Sequence, residues 1–444
     1  MARFLFVTIP AQGHVAPLAQ VATALVQRGH EVMWYTSSAF ADTVTKTGAA
    51  HRPLLTPVDF GNGDLDRHFP ERTRYRGLRR VVFDFEVFAR DAEGYVTDLR
   101  ALVEEFRPDA VVTDPAVIAA SVLSEVDGLP TATVNVTVLA VPSRDLAPFG
   151  LGLPPTSSWL GALRNRLLTA LVDHVVFARP NGVYRRIARS HGWPVLPIRP
   201  RTGPWLFLHP SVESFEYPRS DLPPQIHFIG PLLPTPPPLE REVWQDELAA
   251  ARAAGRRVVL VTQGTVATDP DELITPTLAA LADADLLVLV AGADPADLGP
   301  LPANARVQPF VPFGPLMPHV DAYVTNGGYG GVIIALASGV PVVVAGTTED
   351  KAEVGGRVAY SGVGINLRTS NPLPQVVGQA VRTVLADPTY RQAAQCVAAD
   401  LGAHDGPAEA AALLETLAAT GAPVLRSAPA LAAVATDADR PAGG

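Results

Sequence analysis

A chain of 444 residues is too long for a single core and, at roughly 100–200 residues per domain, predicts two to four domains. With 48% hydrophobic and 18% charged residues it lies far from the composition of disordered chains. The balance of 35 Lys+Arg against 44 Asp+Glu gives a formal charge of -9, the wrong sign for a phosphate backbone, so no nucleic-acid partner is expected. The single cysteine, Cys396, excludes an internal disulfide framework and a zinc site of several thiolates.

In chain order, Phe4 to Ile9 reads as a buried strand and Val15 to Gln27 as a helix stopped by Gly29. Strands follow at Glu31 to Tyr35, Ala110 to Thr113 and Thr131 to Val136, with helices at Leu78 to Phe106 and Val117 to Val126. Between about Leu139 and Arg201 the periodicity weakens into Pro- and Gly-rich sequence, which predicts irregular loops and short helices. Five prolines between Pro231 and Pro238 predict an extended linker, placed at 230–242. Alternation then resumes: strand Arg257 to Thr262, helix Pro270 to Ala282, strands Leu286 to Val290 and Ala322 to Thr325, helix Val332 to Ala337, and strand Val340 to Ala345. The predicted units are therefore 1–229, the linker 230–242, 243–422 and a frayed tail 423–444. Each half is a βαβ alternation, which calls for a doubly wound parallel sheet.

The first run reads as a buried strand rather than a secretory signal, and the longest apolar stretch, Gly327 to Gly346, is broken by Gly339 and Pro341. No membrane span is expected, and the expected location is cytoplasmic.

Four clusters carry chemistry. PAQGHVAP places His14 between the first strand and a helix whose first turn is expected to tolerate Pro17, so its imidazole faces the crevice beyond the strand, as a base or as a solvated first-turn residue. Asp114 ends DAVVTD, near the same crevice, either orienting that imidazole or capping the next helix. This first turn lacks G-x-G-x-x-G, and WYTSS lacks a ribose-binding carboxylate, which disfavours an NAD dehydrogenase. In the second half, NGGYGG puts Gly327, Gly328, Gly330 and Gly331 between strand and helix, a backbone site for a diphosphate or a tight packing turn. Glu349, Asp350 and Lys351 follow a strand end on the crevice side, where carboxylates can bind sugar hydroxyls or simply charge a helix N-terminus.

GHVAP, VTQGT, FVPF with Leu316, NGGYGG, SGVP and EDK, in that order, resemble the UDP-glycosyltransferase superfamily, particularly bacterial macrolide- and flavonoid-type enzymes. The resemblance implies an α/β chain of GT-B fold, two doubly wound Rossmann-like domains facing a central cleft, with acceptor in the first and donor in the second. It implies an inverting transfer of a hexose from UDP-glucose or a dTDP-deoxysugar to a hydroxyl of an apolar small molecule, with no metal and no cofactor beyond the nucleotide sugar. His14 then matches the base and Asp114 its support. Thr265 matches a phosphate-binding hydroxyl, Phe310 the ring stacked on the base, Val311 a backbone contact to its edge, and Phe313 a ribose neighbour. Asp350 and Lys351 stand where an Asp-Gln pair holds the sugar. Asn326 replaces a diphosphate-binding histidine and is expected to give an amide hydrogen bond. Gly331 and Val332 replace a hydroxyl residue, shifting phosphate binding to amides, and Ile334 replaces a ribose-binding glutamate. The DAD triplets at Asp283 to Asp285 and Asp437 to Asp439 are read as incidental. The acceptor side is expected in the first domain, whose loops carry Phe60, Phe69, Phe83, Phe85, Phe88, Trp159 and Trp193; single aromatics are more often core, so none of them is assigned a role. The alternatives are a GT-B-like activator of a partner enzyme, which would show no turnover alone, and a sugar-nucleotide epimerase, which would act without an acceptor. The sequence leaves oligomeric state open.

Overall fold

The structure is a computed structural model that describes residues 1–62, 65–195, 197–199, 201–233, 243–264 and 269–426. Its frame is two parallel sheets. The first contains β1 (Arg3–Val7), β2 (Glu31–Tyr35), β3 (Ala50–Arg52), β4 (Ala110–Thr113), β5 (Thr131–Val134), β6 (Leu206–His209) and β7 (Ile226–Phe228), in the order β3-β2-β1-β4-β5-β6-β7. The second contains β8 (Arg257–Thr262), β9 (Leu286–Ala291), β10 (Ala305–Gln308), β11 (Ala322–Thr325), β12 (Val342–Val344) and β13 (Gly364–Asn366), in the order β10-β9-β8-β11-β12-β13. The central strands are continuous runs of Val, Leu, Ile and Phe because helices cover both faces.

In each sheet the order reverses once, between β1 and β4 in the first and between β8 and β11 in the second. Val7 pairs with Thr113 and Thr262 with Thr325, so the strands flanking each reversal end level. The loops there splay to opposite faces and open a crevice at the carboxyl ends.

Several helices frame these crevices: α1 (Gln12–Gln27), α2 (Leu78–Phe106), α3 (Trp159–Leu171), α4 (Ala178–His191), α5 (Tyr329–Ala337), α6 (Lys351–Tyr360) and α7 (Gly406–Thr420). Three differences from the sequence expectations matter. The weakly patterned stretch after Leu139 contains the full helices α3 and α4. Helix α5 begins at Tyr329, three residues before the expected Val332, because Gly328 supplies the N-cap and glycine does not stop a helix whose apolar face is buried. The segment 406–420, expected in the C-terminal unit, returns to the first sheet, where Ala410, Ala411, Leu414 and Leu417 share a core with Phe4, Val15 and Leu25. Residues 234–242 of the predicted linker and 427–444 of the predicted tail lie outside the described residues. Among the described residues no helix is long and apolar enough to cross a membrane.

The two sheets are joined by a buried ionic cluster. Arg357 of α6 has 1% of its side chain exposed and donates from Nε to Glu216 Oε2 (2.6 Å), from Nη1 to Glu353 Oε2 (3.0 Å) and from Nη2 to the Leu139 carbonyl (3.1 Å). Its guanidinium lies 4.4 Å from the Tyr217 ring centre. Glu216 Oε1 accepts from Leu139 N (2.9 Å) and approaches His209 Nε2 (3.1 Å), while Asn135 Nδ2 lies 2.9 Å from His209 Nδ1. Glu353 Oε1 accepts from Gly150 N (2.9 Å) and Gly152 N (2.8 Å). The backbones approach closely: a Cβ on Gly152, whose φ is +59, would sit 2.6 Å from the Ala352 carbonyl.

Burial alone would raise the Glu216 carboxyl, but Arg357 and His209 override it and hold the group well below the usual carboxylate range. Burial lowers His209 and keeps it neutral, consistent with accepting from Asn135 and donating to Glu216. A carboxyl depressed in the folded state contributes stability above its ordinary value of 4.5 and loses it progressively as pH falls further. Arg357→Ala is therefore expected to lower stability by about 3–5 kcal/mol, by leaving two buried carboxylates without their cation. Urea unfolding at neutral pH measures this, and the variant should also lose less stability than the parent between pH 5 and pH 3. Equal unfolding midpoints at neutral pH would contradict it.

Candidate active site

The first crevice is built by the loops after β1 and β4. His14 is the third residue of α1, which starts after Ala11 without a side-chain cap. Its Nδ1 lies 3.2 Å from Asp114 Oδ1, with 24% of the histidine side chain exposed and none of the aspartate. The contact is within reach but out of line for a hydrogen bond, and the buried Nδ1 has no other partner. A small turn of the ring aligns it, with Nε2 on the exposed side. Asp114 is held independently: Oδ2 accepts from Ile9 N (2.8 Å) and Oδ1 from Ala116 N (2.6 Å). The cap reading is corrected: the next helix begins only at Ala120, after Ala119 and without a side-chain cap, so Asp114 closes a turn through Ala116 N and lies beside His14. Pro17 is the sixth helical residue, in the second turn rather than the first as expected. It lacks the N–H that would bond the Gly13 carbonyl, so the first turn of α1 gives up one intrahelical hydrogen bond.

Asn62 Oδ1 accepts from Gln12 N (3.2 Å), bringing the loop that carries Phe60 to the start of α1. From there rings run outward: Phe60 to Phe88 at 6.5 Å, Phe88 to Phe85 at 6.1 Å, and Phe85 to Phe177 at 5.3 Å between centres. Phe69 and Phe83 form a second pair at 6.3 Å. Trp193 is buried against His191 and Trp159 is exposed on α3, so neither joins this array. Behind the pair, Tyr95 is buried with no partner for its hydroxyl; burial first, and the Asp114 charge next, push that hydroxyl well up.

The second crevice lies after β8 and β11. Gly327 has φ +93, which favours glycine, and Gly328 caps α5. Tyr329, Gly330 and Gly331 therefore form the first turn, where backbone N–H groups lack intrahelical acceptors and the helix end is positive. A Cβ on Gly330 would meet open space, whereas one on Gly331 would come 2.7 Å from Tyr323 Oη. Val332 leaves the predicted site: its side chain is fully buried and its amide donates to the Gly328 carbonyl at 3.1 Å.

Asn326 is buried and its Nδ2 donates to the Gln263 carbonyl, tying the end of β11 to the end of β8. Its Oδ1 has no partner. One N–H of the amide expected for a diphosphate is thus engaged in a brace between the two loops, and the group retains a second N–H. Gly264, at φ +80, permits this, since a Cβ there would press on Asn326 at 3.3 Å. Thr265 lies outside the described residues.

Phe310 follows β10 and is 68% exposed, free to present a flat face. Val311 is buried, and Phe313 is half-buried with its edge on Tyr323 at 6.0 Å, so it offers packing rather than a polar contact. Beyond β12, Glu349 adopts φ +56, a left-handed conformation unusual for a non-glycine residue. Asp350 accepts from Thr137 Oγ1 of the first half, a partner no motif in the sequence announces. Burial pushes the Asp350 carboxyl up. Lys351 is buried except for its end, with Nζ 3.0 Å from Glu349 Oε2, and its Cβ lies close to Gly327 and Gly346, on the glycine-loop side. Asp283 and Asp285 are exposed just before β9, at the amino end of the sheet and away from the crevice; the second triplet lies outside the described residues.

An imidazole beside a carboxylate at one reversal and a helix N-terminus at the other are thus the polar features of the two crevices, and the relatives of the chain decide its family. The chain is 44% identical over 427 residues to 4'-demethylrebeccamycin synthase of Lentzea aerocolonigenes, covering 94% of this chain and 99% of that protein. The chain belongs to the natural-product UDP-glycosyltransferases. It is 32% identical to UDP-glycosyltransferase 2 of Phaeomoniella chlamydospora, covering 94% of this chain and 95% of that one. Residues 275–417 match the family described as erythromycin biosynthesis protein CIII-like, C-terminal domain. Its fold is that of the calicheamicin glycosyltransferase CalG4, with a TM-score of 0.73 at 24% identity over 95% of this chain and all of that one. The enzyme is a glycosyltransferase of GT-B fold.

The brace at Asn326 predicts a ranking for this glycosyltransferase. Asn326→Ala leaves the Gln263 carbonyl unpaired and should weaken nucleoside diphosphate binding by about 1–3 kcal/mol. Asn326→Asp sets a carboxylate against that carbonyl and should bind more weakly still. Calorimetry with uridine diphosphate reads both, and an aspartate variant that binds as well as the parent would contradict the brace.

Proposed function

We propose that this glycosyltransferase moves a hexose from a nucleoside diphosphate sugar to a hydroxyl of an apolar small natural product, with inversion at the anomeric carbon and without a metal. The observation that carries this reading is the His14–Asp114 pair, 3.2 Å apart, at the crevice of the first sheet. His14 Nε2 takes the acceptor's proton while Asp114 orients the ring and stabilises the imidazolium. The acceptor oxygen attacks the anomeric carbon on the face opposite the diphosphate, and the bond to the leaving oxygen breaks as the new one forms. The charge that develops on the diphosphate is met by the first-turn amides of α5 and by the Lys351 ammonium.

Asp350 retains lone pairs for sugar hydroxyls beside its bond from Thr137. Phe310 offers its exposed ring to the base, with the Val311 backbone beside it, and Phe313 packs below. The acceptor lies along the half-buried Phe88 and Phe85, an apolar wall backed by the buried Phe60 on the loop that meets the start of α1. Support for the donor class comes from a relative named as a UDP-glycosyltransferase, and for a natural-product acceptor, without regard to which of its atoms is glycosylated, from the relative named as a demethylrebeccamycin synthase.

His14→Ala should lower kcat for a hydroxyl acceptor by about 10²–10⁴-fold with little change in donor binding. Asp114→Asn should also be damaging, through loss of orientation. Steady-state kinetics beside calorimetric donor binding separates the two effects, and near-parental turnover of His14→Ala would refute the assignment. Excess chelator should leave the rate unchanged; activity lost to chelator and restored only by magnesium or manganese would overturn the metal-free reading.

A further inference from the structure

Helix α3 is turned inside out. Among its residues only Asn165 is buried, and its Nδ2 donates to the Arg144 carbonyl at 3.2 Å. The apolar residues face outward: Trp159, Leu160, Leu163, Leu167 and Leu171 are exposed, from 46% at Leu163 to 75% at Trp159. At about 100° per residue these five fall within an arc of roughly 120°, with Arg166 on one edge and Arg164 on the other. The π-helical turn Val172–Val176 continues the stripe to Val175, also exposed.

The charge around the stripe is opposite to that of the protein. Residues 159–191 carry six arginines against one acidic residue, Asp173, in a chain whose formal charge is -9. Asp173 is itself paired with Arg199 at 3.0 Å. On α4, Arg179 and Arg186 border an open groove of about 620 Å³ against α2, where Glu86 pairs with both Arg179 (2.6 Å) and Arg90 and the lining keeps a net positive charge. An apolar arc with arginines on both edges, a tryptophan at one end and a basic groove alongside is the pattern of a helix that lies in a membrane interface. Leucines enter the acyl boundary while guanidinium groups reach the headgroups. A second copy meeting the same face across a two-fold axis would set these arginines against one another.

We propose that α3 and α4 form a docking surface for an anionic lipid bilayer, with α3 lying flat on it. The surface includes no residue of the proposed catalytic pair or donor loop and meets the proposed acceptor wall at Phe177, whose ring packs on Phe85 at 5.3 Å.

Co-sedimentation of the full chain with phosphatidylcholine vesicles, with and without phosphatidylglycerol, tests the proposal. Binding is expected to the anionic vesicles and to weaken with added salt. Leu163→Asp with Leu167→Asp should abolish it, and these exposed positions should leave the thermal melt near that of the parent. Arg164→Gln with Arg166→Gln should keep the apolar stripe and weaken anionic binding by roughly fivefold per arginine. Equal binding to neutral and anionic vesicles, or unchanged binding by the aspartate variant, would overturn the proposal. So would a chain that ignores vesicles but is dimeric in lipid-free solution and becomes monomeric with the same aspartates, an outcome that assigns the stripe to a second copy.

Discussion

A guanidinium with 1% of its side chain exposed must be matched by charge and hydrogen bonds on every side, and Arg357 finds those partners on both halves of the chain. Glu353 lies one turn back on its own helix, while Glu216, the Leu139 carbonyl and the Tyr217 ring come from the first half. Glu353 extends the link to the amides of Gly150 and Gly152. Helix α6 thereby serves as the joint between sheets, and its first residues, Asp350 at the cap and Lys351, are the polar groups proposed to meet the sugar and the diphosphate. What fixes the relation of the halves also fixes the donor end of the site. The bond from Thr137 to Asp350 runs along the same seam.

The chemistry then follows from topology. A parallel sheet whose order reverses leaves one crevice, and this chain has two such sheets, each with its polar residues in the loops flanking the reversal. In the first, the loops after β1 and β4 deliver an imidazole and a carboxylate. In the second, the loops after β8 and β11 are braced by Asn326 and end in a helix N-terminus. Neither crevice alone supports transfer, because one offers proton transfer without a leaving-group site and the other the reverse.

Much of this was legible in the sequence where the period was strong and the segment long. The strands at Glu31–Tyr35, Arg257–Thr262 and Ala322–Thr325 and the helix Leu78–Phe106 agree with expectation because their apolar spacing has one interpretation. Strands β3, β7 and β13, of three residues each, carry too few positions to show a period. Helix α3 escaped for a different reason: its apolar face points outward, so its pattern does not report a core. The return of α7 to the first sheet depends on contacts far apart in sequence. At the site, GHVAP and TD pointed to His14 and Asp114 separately, and their approach to 3.2 Å is a property of register between β1 and β4. The role of Asn326 was read from its place in the glycine loop, and the bond from its amide to Gln263 depends on the approach of β8 and β11, which no local pattern reports. Val332 was misplaced because the helix begins earlier than its glycines suggested.

The central claim is a single displacement at the anomeric carbon, driven by a base on one sheet and a leaving-group site on the other. Proton NMR of the purified product, made from a donor of known anomeric configuration, tests it directly. The account predicts the opposite configuration: an α-linked glucosyl donor gives a product whose anomeric proton shows the large coupling of a β-glucoside. A product retaining the α configuration would require two displacements and a covalent or front-face intermediate, and would contradict the roles given to His14 and Asp114.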